Sequence, residues 1–348
     1  VSVFRNQLAG KIPVTIVTGF LGSGKTTLIS KLLPHPQMNR VAVVINEVGE
    51  IGIDHDLVTM SSENVTLLAN GCICCSVRTD IQETLRDLFA RRQVGEVFDF
   101  DRVIIETTGL ADPAPLLQTL TSDTLLEARF RLDGVVTLVD AVNAYHQLNE
   151  TPEALQQITL ADQILLTKTD IAEEASILEL EQELNAINPD AGITRVINGQ
   201  IEPDQLINLG LGSTKVDLRS LSFLNSILEN RSGDEAEGEE RYLGNLIKKH
   251  PNIKTASISF KEPFTWQTFS SALDLLISLR GPDLLRVKGI VNVEGKPMVI
   301  QGVQHIFHNP VTLEKWPSDN HDSRIVFIAR NISAKSIRNL FATVREIQ

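Results

Sequence analysis

The residues Gly19-Phe20-Leu21-Gly22-Ser23-Gly24-Lys25-Thr26-Thr27 have the types and spacing G-x-x-x-x-G-K-S/T, and they directly follow the apolar, β-rich run Val14-Thr15-Ile16-Val17. The chemistry this supports is phosphate binding. Gly19, Gly22 and Gly24 permit a tight bend that turns successive backbone N–H groups inward. Ser23 completes the cradle, and the helix that begins there adds its N-terminal partial positive charge. Lys25 is placed to reach the β- and γ-phosphates and to act in catalysis. Thr26 offers its hydroxyl to Mg²⁺, and Thr27 continues into the helix.

Three further segments leave apolar runs with chemistry-bearing residues. Thr167-Lys168-Thr169-Asp170 follows Gln163-Ile164-Leu165-Leu166, at the sheet edge where open α/β folds bind nucleotides. Asp170 can accept from N1–H and the 2-amino group of guanine while the Lys168 stem stacks along the ring; adenine lacks that donor pair. Guanine is the expected base, with Thr167 standing where Asn is commoner in this pattern. Glu106-Thr107-Thr108-Gly109 ends Val103-Ile104-Ile105, so Glu106 is expected to meet Mg²⁺ or its water shell. Gly109 lets the backbone approach a γ-phosphate, and loss of that phosphate would release the loop through Ala111-Asp112-Pro113. Asn46-Glu47-Val48-Gly49-Glu50-Ile51-Gly52-Ile53-Asp54 has the make-up of a first switch loop. Asp54 could hold a Mg²⁺-bound or attacking water, and Glu47 or Glu50 could position the nucleophilic water or give oxygen to a second metal. Each of the three could equally be a solvated loop carboxylate.

All three cysteines fall in Cys72-Ile73-Cys74-Cys75. A disulfide framework would spread an even number along the chain, so the cluster reads as a thiolate site for Zn²⁺, Co²⁺ or another soft or borderline cation in a reducing compartment. Three thiolates leave one tetrahedral position for water, for a carboxylate such as Glu50, or for a ligand from a recipient protein, which suits a transferable cation. If the segment is extended, Cys72 and Cys74 share a side and Cys75 joins them only where the strand ends.

The elements that must position these groups alternate. Short strands apolar on both faces, separated by helical patterns over Arg78 to Arg91 and Glu173 to Ile187, predict a doubly wound, mostly parallel α/β sheet in residues 1–218. An acidic, apolar-free run, Gly233 to Glu240, places a linker at 219–252. Residues 253–348 predict a smaller α+β domain: strands at Lys254 to Phe260, Leu285 to Val293, Met298 to Ile306 and Arg324 to Ala329, a helix from Phe264 to Leu279, and a last helix capped by Ser333. The length of 348 residues and 42% apolar content suit two domains, and a net charge of −12 excludes a polyanion-coating role, so no nucleic-acid partner is expected. No run approaches a membrane span and Val1 to Lys11 carries no hydrophobic leader, so a cytoplasmic protein without a membrane partner is expected.

Taken in order, the phosphate loop, Asn46-Glu47-x-Gly49-Glu50, Gly71-Cys72-x-Cys74-Cys75, Glu106 to Pro113 and Thr167 to Asp170 resemble the CobW-type metal-chaperone GTPases, most nearly their YjiA-like branch among SIMIBI-class P-loop NTPases. Leu284-Leu285-Arg286-Val287-Lys288-Gly289 and Gln301-Gly302-Val303 resemble pieces of the CobW C-terminal domain. The resemblance implies hydrolysis of GTP with Mg²⁺, Zn²⁺ or a similar cation at the C-x-C-C site, and metal delivery to a client apo-metalloprotein by a monomer or homo-oligomer. Two features depart from it. Ile45 stands where some relatives carry a metal-binding Glu, and the docking motif of the branch serving methionine aminopeptidase is not matched in Val1 to Pro13. The reading from a different class is a non-catalytic zinc buffer or sensor that holds nucleotide only structurally.

Overall fold

The computed structural model describes residues 10–46, 58–62, 65–68, 73–76, 81–207, 209, 253–304, 306–307, 310–313, 315–316 and 319–347. The expected linker at 219–252 lies outside them. Two compact units are present, Gly10–Gln182 with Ala191–Gly210, and a second that takes in Glu183–Asp190, at the end of a helix of the first, and the described residues from 253 onward.

In the first unit the chain runs β1 (Ile12–Gly19), α1 (Lys25–Leu32), β2 (Val41–Asn46), β3 (Val58–Ser62), β4 (Val65–Leu68), β5 (Ile73–Ser76), α2 (Ile81–Val94), β6 (Arg102–Thr107), α3 (Ala114–Ser122), α4 (Thr124–Arg129), β7 (Phe130–Asp140), α5 (Ala144–Glu150), α6 (Pro152–Leu160), β8 (Gln163–Thr167), α7 (Glu174–Ile187) and β9 (Gly192–Val196). These strands form a nine-stranded sheet in the order β3-β4-β5-β2-β6-β1-β7-β8-β9. From β5 to β9 every neighbouring pair is parallel, while β4 runs antiparallel to β3 and β5. The expected doubly wound sheet is thus present, with a hairpin at one edge.

Burial explains the unbroken apolar runs. Val17, Val43, Ile45, Ile104, Val136, Leu138 and Leu165 pack in one cluster with Leu28, Ile29 and Leu32 of α1. Their strand neighbours Ile16, Val44, Ile105, Val135 and Leu166 are buried as well, so both faces of these strands are buried and no polar alternation survives. Because the strands are parallel, their C-terminal ends meet at one edge, where the motifs lie.

In the second unit β10 (Ile253–Phe260), α8 (Trp266–Arg280), β11 (Leu284–Val293), β12 (Lys296–Val303), β13 (Ile306–Phe307), β14 (Val311–Thr312), β15 (Ser323–Arg330) and α9 (Ala334–Ile347) follow. The sheet order is β10-β15-β11-β12-β13 with β14 also on β12, and all pairs are antiparallel. Phe269, Leu273 and Leu276 of α8 and Ile337 and Phe341 of α9 fill the core against this sheet. Ser333 caps α9 as expected, its Oγ accepting from Ser336 N at 3.1 Å. The segment Met298 to Ile306 is two strands, interrupted at Gln304, where φ is 54°.

At the far end of the parallel sheet a bulge between Val14 and Thr15 takes Asp133 of β7 out of register. Its carboxylate, 1% exposed, pairs with Arg102 and accepts from Thr15 Oγ1 at 3.4 Å. Asp133→Ala strips a buried guanidinium of a charge partner and is expected to destabilise the chain by about 3–5 kcal/mol. The loss should appear in chemical denaturation while nucleotide affinity, set at the opposite sheet edge, stays unchanged where the protein is folded.

Candidate functional site

The loop from β1 to α1 is shaped by close backbone approach. At Gly19, φ is 143° and a Cβ would stand 2.4 Å from Leu138 O on β7, so a side chain cannot be accommodated. Gly22 and Gly24 are left-handed, φ 73° and 93°, and a Cβ on either would meet nothing within 4 Å, so the loop is open on that side. Gly24 occupies the N-cap of α1 without a side-chain cap, which leaves first-turn N–H groups for an anion. Lys25, buried at 6% exposure, lays its Nζ across the loop and donates to Gly19 O at 2.8 Å and Phe20 O at 3.2 Å. A buried ammonium across the loop, beside an uncapped helix N-terminus, fits a polyphosphate.

On one flank Thr26 Oγ1 donates to Glu106 Oε1 at 3.0 Å. Glu106, 1% exposed, ends β6 beside Val17 of β1, and Thr107 Oγ1 donates to Thr18 Oγ1 at 2.8 Å. A hydroxyl and a carboxylate at this spacing, next to phosphate, are the hard oxygen donors Mg²⁺ takes together with water, so the residues present fit that ion. Beyond β6 a turn is closed by Ala111 N donating to Thr108 O at 3.1 Å. A Cβ on Gly109 would lie 2.7 Å from Leu21 N, so this turn rests directly on the phosphate loop. Asp112 Oδ1 accepts from Ala114 N at 2.9 Å and starts α3.

On the other flank Thr167, ending β8, donates its hydroxyl to Ser23 O in the phosphate loop at 2.9 Å, with Val139 O at 3.2 Å as a second acceptor. A hydroxyl therefore ties this motif to the loop although Thr replaces the commoner Asn. Lys168 is left-handed at φ 58° and its Nζ pairs with Asp140 Oδ2 at 2.7 Å. Asp140 also accepts from Asn143 Nδ2 at 2.8 Å and Val142 N at 2.9 Å. Burial pushes the Asp140 carboxyl up, but Lys168, Asn143 and the Val142 amide outweigh it and hold it below its ordinary 3.8. The ionised carboxylate thus contributes stability above that value, which is lost as pH falls through the lower folded value. Asp170 is exposed just past Lys168, at the same edge.

The structure thus brings together Gly19, Gly22, Ser23, Gly24, Lys25, Thr26, Thr27, Glu106, Gly109 and Thr167 around one loop, with Lys168 and Asp170 following Thr167 in the chain. Glu47, Glu50, Asp54 and Cys72 lie outside the described residues. Cys74 and Cys75 are described through their backbone in β5, with Cys75 in one sheet row with Val44, Ile105 and Ile16. The strand continues to Ser76 because Cys75 is paired with Val44 on one side and Val65 on the other, so it does not end at Cys75 as the sequence suggested. Among the described residues no group of three or more His, Cys, Asp or Glu is gathered to hold a metal ion. Ile45 is buried in the α1 cluster, a core side chain at the departing position.

Sequence reasoning did not pick out Asp140, Gln157, or the turn Ile197 to Gln200 after β9. Asp140 had a signal, as the acid that ends the apolar run Val135 to Val139. Gly199 of the turn lies against α1, where a Cβ would be 3.1 Å from Thr27 O. Gln157 Nε2 donates to Gly109 O and Ala111 O, a role that one polar residue in a helix does not announce.

Comparison with known proteins agrees with this geometry. Residues 13–195 match the CobW/HypB/UreG nucleotide-binding domain and residues 253–345 the cobalamin synthesis protein cobW C-terminal domain. The zinc chaperone YjiA of Escherichia coli K12 is 34% identical over 337 residues, 96% of this chain and 99% of its own length. The zinc-regulated GTPase metalloprotein activator 1 of Schizosaccharomyces pombe is 38% identical over 349 residues, 92% of this chain and 83% of its own. The crystal structure of Zn(II)-bound YjiA GTPase from E. coli superimposes with a TM-score of 0.75 at 32% identity, covering 96% of this chain and 99% of that one. With its phosphate loop, its guanine-type strand exit and both domains matched, the chain belongs to the CobW/HypB/UreG family of nucleotide-binding proteins.

Proposed function

We propose that this protein is a GTP-hydrolysing zinc chaperone of the cytoplasm that delivers its cation to a client apo-metalloprotein. The observation that carries the reading is the strand order β5-β2-β6-β1. It sets the cysteine-bearing strand, the strand leading into Glu47 to Asp54, the strand ending in Glu106 and the phosphate loop side by side. Adjacent strands lie about 4.8 Å apart, so β5 and β6 are separated by about 10 Å at this edge. Zinc in the names of the bacterial and yeast relatives supports the choice of cation. Among the described residues no helix is long and apolar enough to cross a membrane.

In this reading the phosphate-loop amides and Lys25 hold the β- and γ-phosphates, and Asp170 with Lys168 reads guanine. Thr26 and Glu106 would hold Mg²⁺, which when bound neutralises charge on the β- and γ-oxygens. Glu47 or Glu50 orients the attacking water, and Asp54 holds a water on the metal side. Cys72 and Cys74 grip the cargo cation, with Glu50 or a client ligand beside them, and Cys75, which follows Cys74 within β5, joins the set only where the end of β5 gives up its pairing. Nucleotide state alters that grip because the strand leading into Glu47 to Asp54 pairs directly with the cysteine strand, and linkage makes the effect reciprocal.

Three outcomes test this. Competition titration with a chromophoric zinc chelator should give tighter binding with a non-hydrolysable GTP analogue than with GDP; equal affinities would remove the coupling. Cys74→Ala should weaken zinc binding and leave GTP binding intact, whereas Lys25→Ala should impair nucleotide use and leave the thiols competent. Thr167→Val, which keeps shape and removes the donor to Ser23 O, should cost about 1 kcal/mol, on the order of fivefold in guanine-nucleotide affinity by fluorescence titration. An unchanged affinity would show that the tie to the phosphate loop does not matter.

A further inference from the structure

Ala154, Gln157, Ile158 and Leu160 are buried on α6. Gln157, only 1% exposed, turns its amide to the loop that follows β6 rather than to solvent. Its Nε2 donates to Ala111 O at 3.0 Å and to Gly109 O at 3.2 Å. Both acceptors are carbonyl oxygens, so only the nitrogen end of the amide can face them, which fixes its orientation. The helix itself is anchored: Thr137 Oγ1 on β7 donates to the Gln157 carbonyl at 2.7 Å.

The turn it grips is closed on itself by the Ala111 amide bonded to Thr108 O. The turn also lies directly against the phosphate loop, since a Cβ on Gly109 would stand 2.8 Å from Leu21 Cα. The turn therefore has two supports, Leu21 and Gln157. In a planar trans peptide the N–H points opposite to the C=O. Drawing the carbonyls of Gly109 and Ala111 toward α6 thus aims the Leu110 and Asp112 amides away from it.

We propose that Gln157 is a positioning residue for γ-phosphate recognition: by holding the Gly109 and Ala111 carbonyls it sets the turn at the place over the phosphate loop from which a third phosphate is sensed. The role rests on the GTPase reading above and adds to it the side chain by which α6 makes the site distinguish triphosphate from diphosphate. The Gln157 amide nitrogen bonds to backbone carbonyls of the turn and acts through it.

The test uses the full-length chain, a fluorescent GDP and the corresponding β,γ-imido GTP analogue. Gln157→Met, similar in length but without donors, should leave the GDP dissociation constant within about twofold of wild type and weaken the analogue about tenfold, as two hydrogen bonds to the turn are lost. Gln157→Glu should do the same at neutral pH and recover part of the analogue affinity as pH is lowered, because a protonated carboxyl regains one donor. Thr137→Val, which loosens the anchored helix without touching the turn, should give a smaller loss in the same selective direction, and serves if the Gln157 variants do not fold. Equal losses for both nucleotides with a lowered melting temperature would mark a purely structural residue and overturn the proposal, as would unchanged or tighter analogue binding. Wild-type protein that binds neither nucleotide would bring down the GTPase reading and this role with it; wild-type discrimination that survives in the variants overturns this role alone.

Discussion

The constraint on which the site depends is the closeness of backbone to backbone around the phosphate loop. Leu138 O occupies the space a side chain at Gly19 would need, and Leu21 the space one at Gly109 would need. These approaches bring β7 and the turn after β6 onto the loop with no side chain between, so the loop's position is dictated by strands already fixed in the sheet. Hydrogen bonds then specify the register. Thr167 donates into the loop from β8 and Thr26 bonds to Glu106 at the end of β6. Lys25 spans the interior and satisfies its charge on the loop's own carbonyls. A preorganised anion cradle results because the cost of gathering amides and an ammonium is offset by the packing of the sheet beneath.

Asymmetry between the two ends of that sheet separates stability from chemistry. At the N-terminal edge the ion pair of Asp133 with Arg102 lies in a bulge, deep in the unit and away from the motifs. At the C-terminal edge the charged groups Lys25, Glu106, Asp140 and Lys168 converge, each held by hydrogen bonds from a neighbouring element. The same parallel topology that buries β1, β6, β7 and β8 on both faces leaves polar side chains free to gather only where the strands stop.

Much of this was legible in the residues. The loop spacing placed β1 and α1, and apolar runs placed β2, β6, β7 and β8, because doubly buried strands leave an uninterrupted signature. What escaped did so for physical reasons. Val58–Ser62 and Val65–Leu68 form an antiparallel edge hairpin, and the polar share of an edge strand blurs its pattern. β7 is longer than its apolar stretch because Arg131 pairs in register with Pro13 and Asp133 is accommodated by the bulge. Thr167 looked like a weakened guanine motif, yet the contact requires only a donor of the right reach, which a hydroxyl supplies. Gln157 carried no pattern at all, since its meaning lies in which carbonyls the tertiary fold brings to it. The residues expected to form the first switch, Glu47 to Asp54, and Cys72 lie outside the described residues.

Lys168 holds a left-handed backbone that glycine would adopt more readily, and its ammonium is tethered to Asp140. Folding has thus already settled the conformation that, in the proposed reading, stacking on a purine would otherwise have to induce. In the proposed reading the purine half of the pocket is a stationary pivot through repeated rounds of exchange, leaving the third phosphate as the one variable that the surrounding loops register.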